Sequence, residues 1–142
     1  MKPTEAQIHA SFVDYVEHKY PRLAPYLIHI PNEGKRSLAE GGKQKRLGLR
    51  KGVPDLLFAM PSVFKNFRKE RWPGAWIEIK APGKKLRREQ QEYFDRLAAA
   101  GYFVGCYDNI DILIRDFEWY IEGMTDDKGR DRKDIEDTGA ET

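Results

Sequence analysis

The 142-residue sequence has a single cysteine, Cys106, and only three histidines. One cysteine excludes an internal disulfide and a zinc site built from several cysteines. The histidines, His9, His18 and His29, show no metal-ligand spacing; His29 could border a site, but we expect a structural or surface role for it. Cys106 stands in the apolar run Tyr102–Tyr107. Because free cysteines usually pack in protein interiors, we expect Cys106 to be buried.

Long hydrophobic runs are also missing. No stretch approaches the roughly 20 apolar residues that a membrane span requires, and the opening Met1-Lys2-Pro3-Thr4 lacks a signal-peptide pattern. We therefore expect a soluble, cytoplasmic protein. The glycines between residues 34 and 48 match neither a Walker A motif nor a dinucleotide fingerprint, so no nucleotide cofactor is indicated.

The composition fits one domain and an attached tail. Hydrophobic residues make up 40% of the chain and aromatic residues 12%, which is enough for a single core. We expect this domain to span residues 1–124. From residue 125 to residue 142 the sequence is rich in charge and glycine, and we expect a charged, flexible tail there.

Helical and strand patterns alternate along the domain. Thr4 and Gln7 have the form of a capping box, and the apolar spacing that follows predicts a helix over residues 5–19. Further amphipathic patterns predict helices over 86–100 and 110–121, with a strand over 111–115 as the alternative. Apolar runs predict strands over 26–30, 53–59, 75–80 and 102–107, and residues 32–51 and 61–74 are predicted to be loops. The order predicts an α/β fold with a mixed central sheet of about four strands flanked by helices.

Three charged residues stand on strands that otherwise look buried: Asp55, Glu78 and Lys80. Strand alternation places Glu78 and Lys80 on one face, about 7 Å apart, and pairing of their strand with the preceding one would bring Asp55 to the same face. Ionised groups are costly to bury unless they pair, titrate or bind metal. Two carboxylates suit Mg²⁺ or Mn²⁺ rather than zinc, and a lysine beside them could orient or help deprotonate water for phosphodiester hydrolysis. A buried ion-pair cluster without catalysis is the alternative.

Basic residues border this set along the sequence and indicate a polyanionic partner, for which nucleic acid is the natural candidate. An ordinary solvated face is the alternative for any one cluster. The candidate contacts are Lys35, Arg36, Lys43, Lys45, Arg46, Arg50 and Lys51, and Lys84 and Lys85 from a cluster that also contains Arg87 and Arg88. A further cluster comprises Lys65, Arg68, Lys69 and Arg71.

Pro54-Asp55 followed by Glu78-Ile79-Lys80 resembles the PD-(D/E)xK nuclease signature. More narrowly, the chain resembles the VRR-NUC branch of that superfamily over residues of about 4–107. The resemblance implies a restriction-endonuclease-like core. It rests on an ordered set of residues: Glu5, Asn32, Gly34, Gly52-Val53-Pro54-Asp55, Glu78-Ile79-Lys80, Gly83, Gln90 and Gly101-Tyr102.

The resemblance implies roles for individual residues. Asp55 and Glu78 look like metal ligands, the backbone carbonyl of Ile79 is expected to add another, and Lys80 matches the catalytic lysine. Glu5 matches the family's amino-terminal acid and could reach the metal directly or through water, although an acid in a first helical turn also simply complements the helix dipole. Gln90 matches a further family position on the helix stripe that faces the sheet, where a structural hydrogen bond is the alternative.

Stand-alone VRR-NUC proteins look like structure-selective DNA enzymes that dimerise. The resemblance therefore implies a metal-dependent endonuclease for Holliday junctions or other branched DNA, acting as a homodimer. Phe64, Phe67 and Trp72, or the helix over 110–121, could supply the dimer surface. Two alternatives stay open: a nucleic-acid-binding or assembly module without catalysis, and an RNA nuclease that uses the same site.

Overall fold

The computed structural model describes residues 1–31, 38–63, 72–126 and 128–131, without the side chains of residues 38–40. The predictions that concern Asn32, Gly34, Lys35, Arg36, Phe64, Phe67 and residues 132–142 lie outside this range, as does the basic cluster between residues 65 and 71. The described elements are α1 (Glu5–Lys19), β1 (Leu27–His29), α2 (Leu38–Arg46), β2 (Leu56–Phe58), β3 (Ala75–Ile79), α3 (Arg88–Ala99), β4 (Phe103–Tyr107) and α4 (Ile110–Tyr120), with 3-10 turns at Ala24–Tyr26 and Glu122–Met124.

The beginnings of the first and last helices follow from local signals. Thr4 Oγ1 accepts a hydrogen bond from the Gln7 amide at 3.1 Å, and Gln7 Oε1 accepts one from the Thr4 amide at 2.8 Å, so the predicted capping box is confirmed. At the last helix, the Asn109 side chain accepts from the amides of Asp111 and Ile112. This cap begins α4 at Ile110 and shows that the alternative strand over 111–115 is wrong.

The predicted loop over residues 32–51 is wrong in part, because it contains the helix α2. Two adjacent glycines, Gly41 and Gly42, indicated a loop, but the residues around them are mostly strong helix formers. Gly48, with φ +101°, then ends the helix in the left-handed conformation, and Leu49 N donates to Gln44 O at 3.0 Å. The glycine that looked like part of a loop is the helix terminator.

The four strands form one mixed sheet in the order β1-β2-β3-β4. β1 pairs with β2 and β2 with β3 antiparallel, whereas β3 and β4 are parallel and connected through α3. The predicted mixed sheet of four strands is therefore confirmed. β2 is shorter than predicted, beginning at Leu56 instead of residue 53, because Pro54 has no amide to donate and the Asp55 side chain is bonded elsewhere.

The hydrophobic core lies between the sheet and the helices α1 and α4. Phe12 of α1 and Phe58 of β2 both pack edge-to-face on Phe117 of α4, with ring centroids 5.4 and 5.0 Å apart. Ala75, Ile77 and Ile79 of β3 belong to the same core. Strand alternation therefore turns Glu78 to the opposite face of the sheet, where α3 lies.

Two further features concern exposure. Cys106 is exposed, so the expectation that it is buried is wrong; β4 pairs only with β3 among the described strands, and an edge strand covers its side chains less completely. Among the described residues, no helix combines the length and the apolar character needed to cross a membrane.

Candidate active site

Three carboxylates from distant parts of the sequence converge at one end of the sheet. Glu5 lies in the first turn of α1, Asp55 immediately before β2, and Glu78 near the end of β3. One carboxylate oxygen of each lies within 4.8 Å of the other two. Antiparallel pairing of β2 with β3 explains why the beginning of one strand meets the end of the other.

Asp55 is held in place by the backbones of both neighbouring strands. Its Oδ2 accepts a hydrogen bond from the Ile79 amide at 2.9 Å, and its carbonyl accepts one from the Ile30 amide at 2.7 Å. The Asp55 side chain thus extends the pairing with β3 beyond the end of the β2 ladder. These bonds fix the carboxylate in its place beside Glu5 and Glu78.

Lys80 and Gln90 form a buried polar network with Glu78. Lys80 Nζ donates to Gln90 Oε1 at 2.7 Å, Gln90 Nε2 donates to Glu78 Oε2 at 3.2 Å, and Lys80 Nζ lies 3.7 Å from the same Glu78 oxygen. The three residues are 9%, 4% and 3% exposed in the order Lys80, Gln90, Glu78. Each of these three buried polar side chains therefore has a hydrogen-bond or ion-pair partner, as burial demands.

Like charge and burial together perturb Glu78. Burial and the nearby Asp55 carboxylate raise the pKa of Glu78 to about 8, although Lys80 acts in the opposite direction. One ammonium does not offset the loss of water and the neighbouring acids. The cluster is short of positive charge, which is the condition under which a divalent cation binds well.

Gly52 connects the Asp55 segment to the first turn of α3. It has φ +85°, and a Cβ built on it would lie 2.4 Å from the carbonyl oxygen of Glu89 and 3.0 Å from the amide nitrogen of Gln90. No side chain fits between these two backbones. The absence of a side chain therefore lets the loop that carries Asp55 lie directly on the helical turn that carries Gln90.

The other predicted contact residues are mostly exposed. Lys51, next to Gly52, and Lys84 and Lys85, in the turn before α3, are exposed, and that turn is fixed by Gly83 N donating to Asp108 Oδ2 at 2.9 Å. Exposed side chains also belong to Lys43, Lys45, Arg46 and Arg50. Trp76 shares the Glu78 face but is half-buried, with its ring edge-to-face against Tyr102.

A pair of histidines is a close neighbour of the carboxylates, and the sequence had indicated only His29 as a residue that could border a site. The rings of His9 and His29 lie 4.9 Å apart, centroid to centroid, at an angle of 78°. The available signal was the spacing of His9 from Glu5, four residues, which puts both on the same side of α1. The pairing of β1 with β2 places His29 opposite Leu56, the residue after Asp55.

Comparison with known proteins identifies the family. The family model for the VRR-NUC domain matches residues 4–108, which is most of the chain. The chain belongs to the VRR-NUC family. A solved structure described as a VRR_NUC domain protein shares 25% sequence identity with it and superposes with a TM-score of 0.70, covering 86% of this chain and 91% of that one. No curated protein matches the sequence.

Membership gives this protein a nuclease-type domain, and the α/β core matches that of the solved VRR-NUC structure. The donor chemistry of the cluster agrees with this. Three carboxylates offer only hard oxygen ligands, which suit Mg²⁺, Mn²⁺ or Ca²⁺. The buried acid with its raised pKa has a physical reason to bind such an ion, so the residues present fit a divalent metal site.

Proposed function

We propose that this VRR-NUC protein is a divalent-metal-dependent endonuclease that hydrolyses DNA phosphodiester bonds. The observation that carries the proposal is the convergence of Glu5, Asp55 and Glu78 within 4.8 Å, beside the hydrogen-bonded pair of Lys80 and Gln90. A structural ion-pair cluster would not need three acids around one buried lysine, since buried charges are poor stabilisers.

Different residues of the site would bind the metal, orient the water and position the lysine. Asp55, Glu78, Glu5 and the carbonyl of Ile79 would hold Mg²⁺ or Mn²⁺, which when bound polarises the phosphate and stabilises its developing negative charge. Lys80 orients the attacking water and offsets the charge of the phosphate. Gln90 fixes the position of the Lys80 ammonium, whose other partner among the described residues is the more distant Glu78 oxygen.

The exposed basic residues support nucleic acid as the substrate. Lys51 precedes Gly52, which packs on the first turn of α3, and Lys84 and Lys85 stand in the turn that leads into the same helix. Lysines at such positions bind phosphates without reading sequence, and their contribution weakens as salt rises. We propose branched DNA, including four-way junctions, as the preferred form, which rests on the family resemblance.

We further propose that the protein acts as a homodimer, since two copies of the site could cut a symmetric junction in pairs. Trp72, one predicted contact, is half-buried, and its ring packs against Phe103, Trp119 and Tyr120. On α4, however, Ile112 and Trp119 are 44% and 45% exposed and lie two turns apart. Light scattering should show that Ile112→Glu separates the dimer, whereas Leu47→Glu, at another exposed apolar residue, leaves it intact.

The direct test of the proposed activity uses labelled linear, flap, forked and four-way DNA, and matching RNA. Each substrate is incubated with wild type, Lys80→Met or Lys128→Ala, in the presence of Mg²⁺, Mn²⁺ or a chelator. Wild type and Lys128→Ala should cut at least one DNA substrate only with metal, and Lys80→Met should not. Lys128 is an exposed lysine and controls for loss of charge alone.

The remaining outcomes discriminate between the alternatives. Cleavage by Lys80→Met at the wild-type rate would contradict the assigned role of Lys80. Cleavage of RNA but not of DNA would replace the proposed substrate. Tight metal-independent binding without cleavage of any substrate would support a nucleic-acid-binding module.

A further inference from the structure

His9 and His29 are placed beside the carboxylate cluster by two different elements. His9 lies one helical turn after Glu5 on α1, and His29 on β1 pairs with Leu56, the residue that follows Asp55. Their rings meet edge-to-face with centroids 4.9 Å apart. The pair therefore adjoins both Glu5 and Asp55.

The ring nitrogens of this pair are available to a ligand. Within the described part of the chain neither His9 nor His29 forms a side-chain hydrogen bond, whereas Nδ1 of His18 lies 2.7 Å from the Asp14 carbonyl oxygen. His29 is exposed and His9 is half-buried. Within the described residues, these two adjacent imidazoles beside an acidic cluster have unused donor capacity.

Burial and the neighbouring His29 lower the pKa of His9, while the Asp55 carboxylate acts in the opposite direction. The response to Asp55 shows that His9 is close enough to the cluster to sense its charge. A neutral imidazole still carries one N–H donor. A contact with a phosphate oxygen therefore does not require either histidine to be charged.

The strand order separates this pair from the lysines. Along the sheet, His29 on β1 comes before Asp55 at the beginning of β2, and Lys80 follows β3 on the far side of Asp55. A sugar-phosphate chain that crosses the cluster would meet Lys80 and the exposed Lys84 on the α3 side. On the opposite side, next to Glu5, it would meet the two imidazoles.

We propose that His9 and His29 form a phosphate-binding subsite on the α1 side of the cluster, which holds the nucleic-acid backbone beside the phosphodiester that is cleaved. This proposal rests on the proposed nuclease function. The pair contributes to binding of the substrate and not to binding of the metal.

The test compares His9→Ala, His29→Ala and His29→Gln with His18→Ala, a histidine on the same helix as His9 whose ring is already bonded. Affinity for fluorescent DNA is measured by anisotropy with chelator present, and cleavage of the same DNA is measured with Mn²⁺. Loss of one neutral hydrogen bond should weaken DNA binding and raise KM by about 5-fold in each alanine variant, with little change in kcat. His29→Gln, which keeps an N–H donor, should recover part of the loss, and His18→Ala should behave as wild type.

Separate measurements distinguish the failures. The proposal would be overturned if both alanine variants had the DNA affinity and KM of the wild type. A lower melting temperature in the same variants would then show that the pair is purely structural. A drop in Mn²⁺ affinity measured by calorimetry without DNA would make the histidines metal ligands and also overturn it. If the wild-type protein itself neither binds nor cuts nucleic acid, the proposed function is wrong and the histidine proposal fails with it. The His29 variants are expected to fold, because His29 is exposed.

Discussion

Lys80 and Gln90, ten residues apart in sequence, share a buried hydrogen bond of 2.7 Å between Nζ and Oε1. The same Gln90 oxygen accepts a hydrogen bond from the backbone amide of Arg87 at 2.8 Å. The side-chain amide of Gln90 is therefore oriented by the beginning of α3. Its Nε2 is thereby directed to Glu78. One glutamine thus sets the positions of the proposed catalytic lysine and of a proposed metal ligand.

Replacing Gln90 should therefore impair catalysis although Gln90 is not itself a proposed metal ligand. We expect Gln90→Ala to lower kcat about 10- to 100-fold, as is typical for groups that orient metal-site residues. Gln91→Ala is the matched control, because the Gln91 side chain is exposed and donates its hydrogen bond to Asp95, within α3 and away from the cluster. Equal cleavage rates for the two variants would show that the Lys80 position does not depend on Gln90.

Metal affinity should depend on pH through Glu78. Because the pKa of Glu78 is raised to about 8, the metal-free protein holds a proton there at neutral pH, and metal binding must release it. Mn²⁺ affinity should therefore rise from pH 6 to pH 8 and then level off. Calorimetry at pH 7 in two buffers of different ionisation enthalpy should detect release of about one proton.

The Glu78→Gln variant provides the control for this measurement, since it cannot release that proton. The same raised pKa should make the metal-free fold less stable as pH rises toward 8, because the native state binds a proton that the unfolded chain has already lost. An Mn²⁺ affinity that stays constant between pH 6 and pH 8 would contradict the assignment of Glu78 as a ligand with a raised pKa.

The backbone contact at Gly52 can be separated from the strain of its positive φ. Gly48 also has a positive φ, +101°, but a Cβ there meets nothing within 4 Å. We expect Gly48→Ala to lower the free energy of unfolding by about 1 kcal/mol, through strain alone. Gly52→Ala should lower it by about 3 kcal/mol, because the new methyl group also collides with the Glu89 carbonyl.

Cleavage assays on the same two variants test the link to the site. Gly52→Ala should lose activity at temperatures where it is still folded, because it displaces the Asp55 loop from the turn that carries Gln90. Gly48→Ala should retain activity. Chemical denaturation curves and cleavage rates that are the same for both variants would mean that the close approach at Gly52 has no consequence.

Glu118 is expected to stabilise the fold without serving the site. Its Oε2 accepts from Lys19 Nζ at 2.6 Å and Tyr15 Oη at 2.7 Å, and also from Tyr20, so α4 is tied to the end of α1. Glu118→Gln should cost about 1–2 kcal/mol of unfolding free energy, a value reduced by partial exposure. Glu17→Gln, at an exposed acid of α1, should cost less than ~0.5 kcal/mol.

The stabilisation by Glu118 should depend on pH in a definite direction. Burial alone would raise the pKa of Glu118, but the hydrogen bonds from Lys19 and the two tyrosines outweigh it and hold the pKa below its ordinary value. The stabilisation is thus present at neutral pH and is lost as pH falls through the lowered pKa. If Glu118→Gln unfolds like wild type at pH 7, the tie does not stabilise the fold.

Local patterns in the sequence were sufficient for much of the fold. The capping box at Thr4 predicted where α1 begins, and strand alternation predicted that Glu78 and Lys80 share a face. Both signals are local, because the capping box involves residues in one helical turn and the alternation involves residues of one strand. The glycines of α2 led to the wrong prediction of a loop. Gly41 and Gly42 favour a loop, whereas the residues around them favour a helix, and the structure shows that Gly48 is where the helix ends.

Contacts between distant residues were harder to predict. The family resemblance implied that Glu5 could reach the metal, but the 4.8 Å cluster with Asp55 and Glu78 depends on how α1 packs against the end of the sheet. The contact of Gly52 with the Glu89 carbonyl and the meeting of His9 with His29 each require two elements to be packed first. A single sequence carries no local signal for such contacts.

The most direct test of the proposed metal centre is the anomalous difference density of manganese in crystals soaked with MnCl₂. We predict a peak among the carboxylates of Glu5, Asp55 and Glu78, within about 2.2 Å of oxygen atoms from Asp55 and Glu78. The peak should be absent from crystals of the Glu78→Gln variant. A fully occupied manganese site elsewhere, with none among these three carboxylates, would contradict the proposed metal centre.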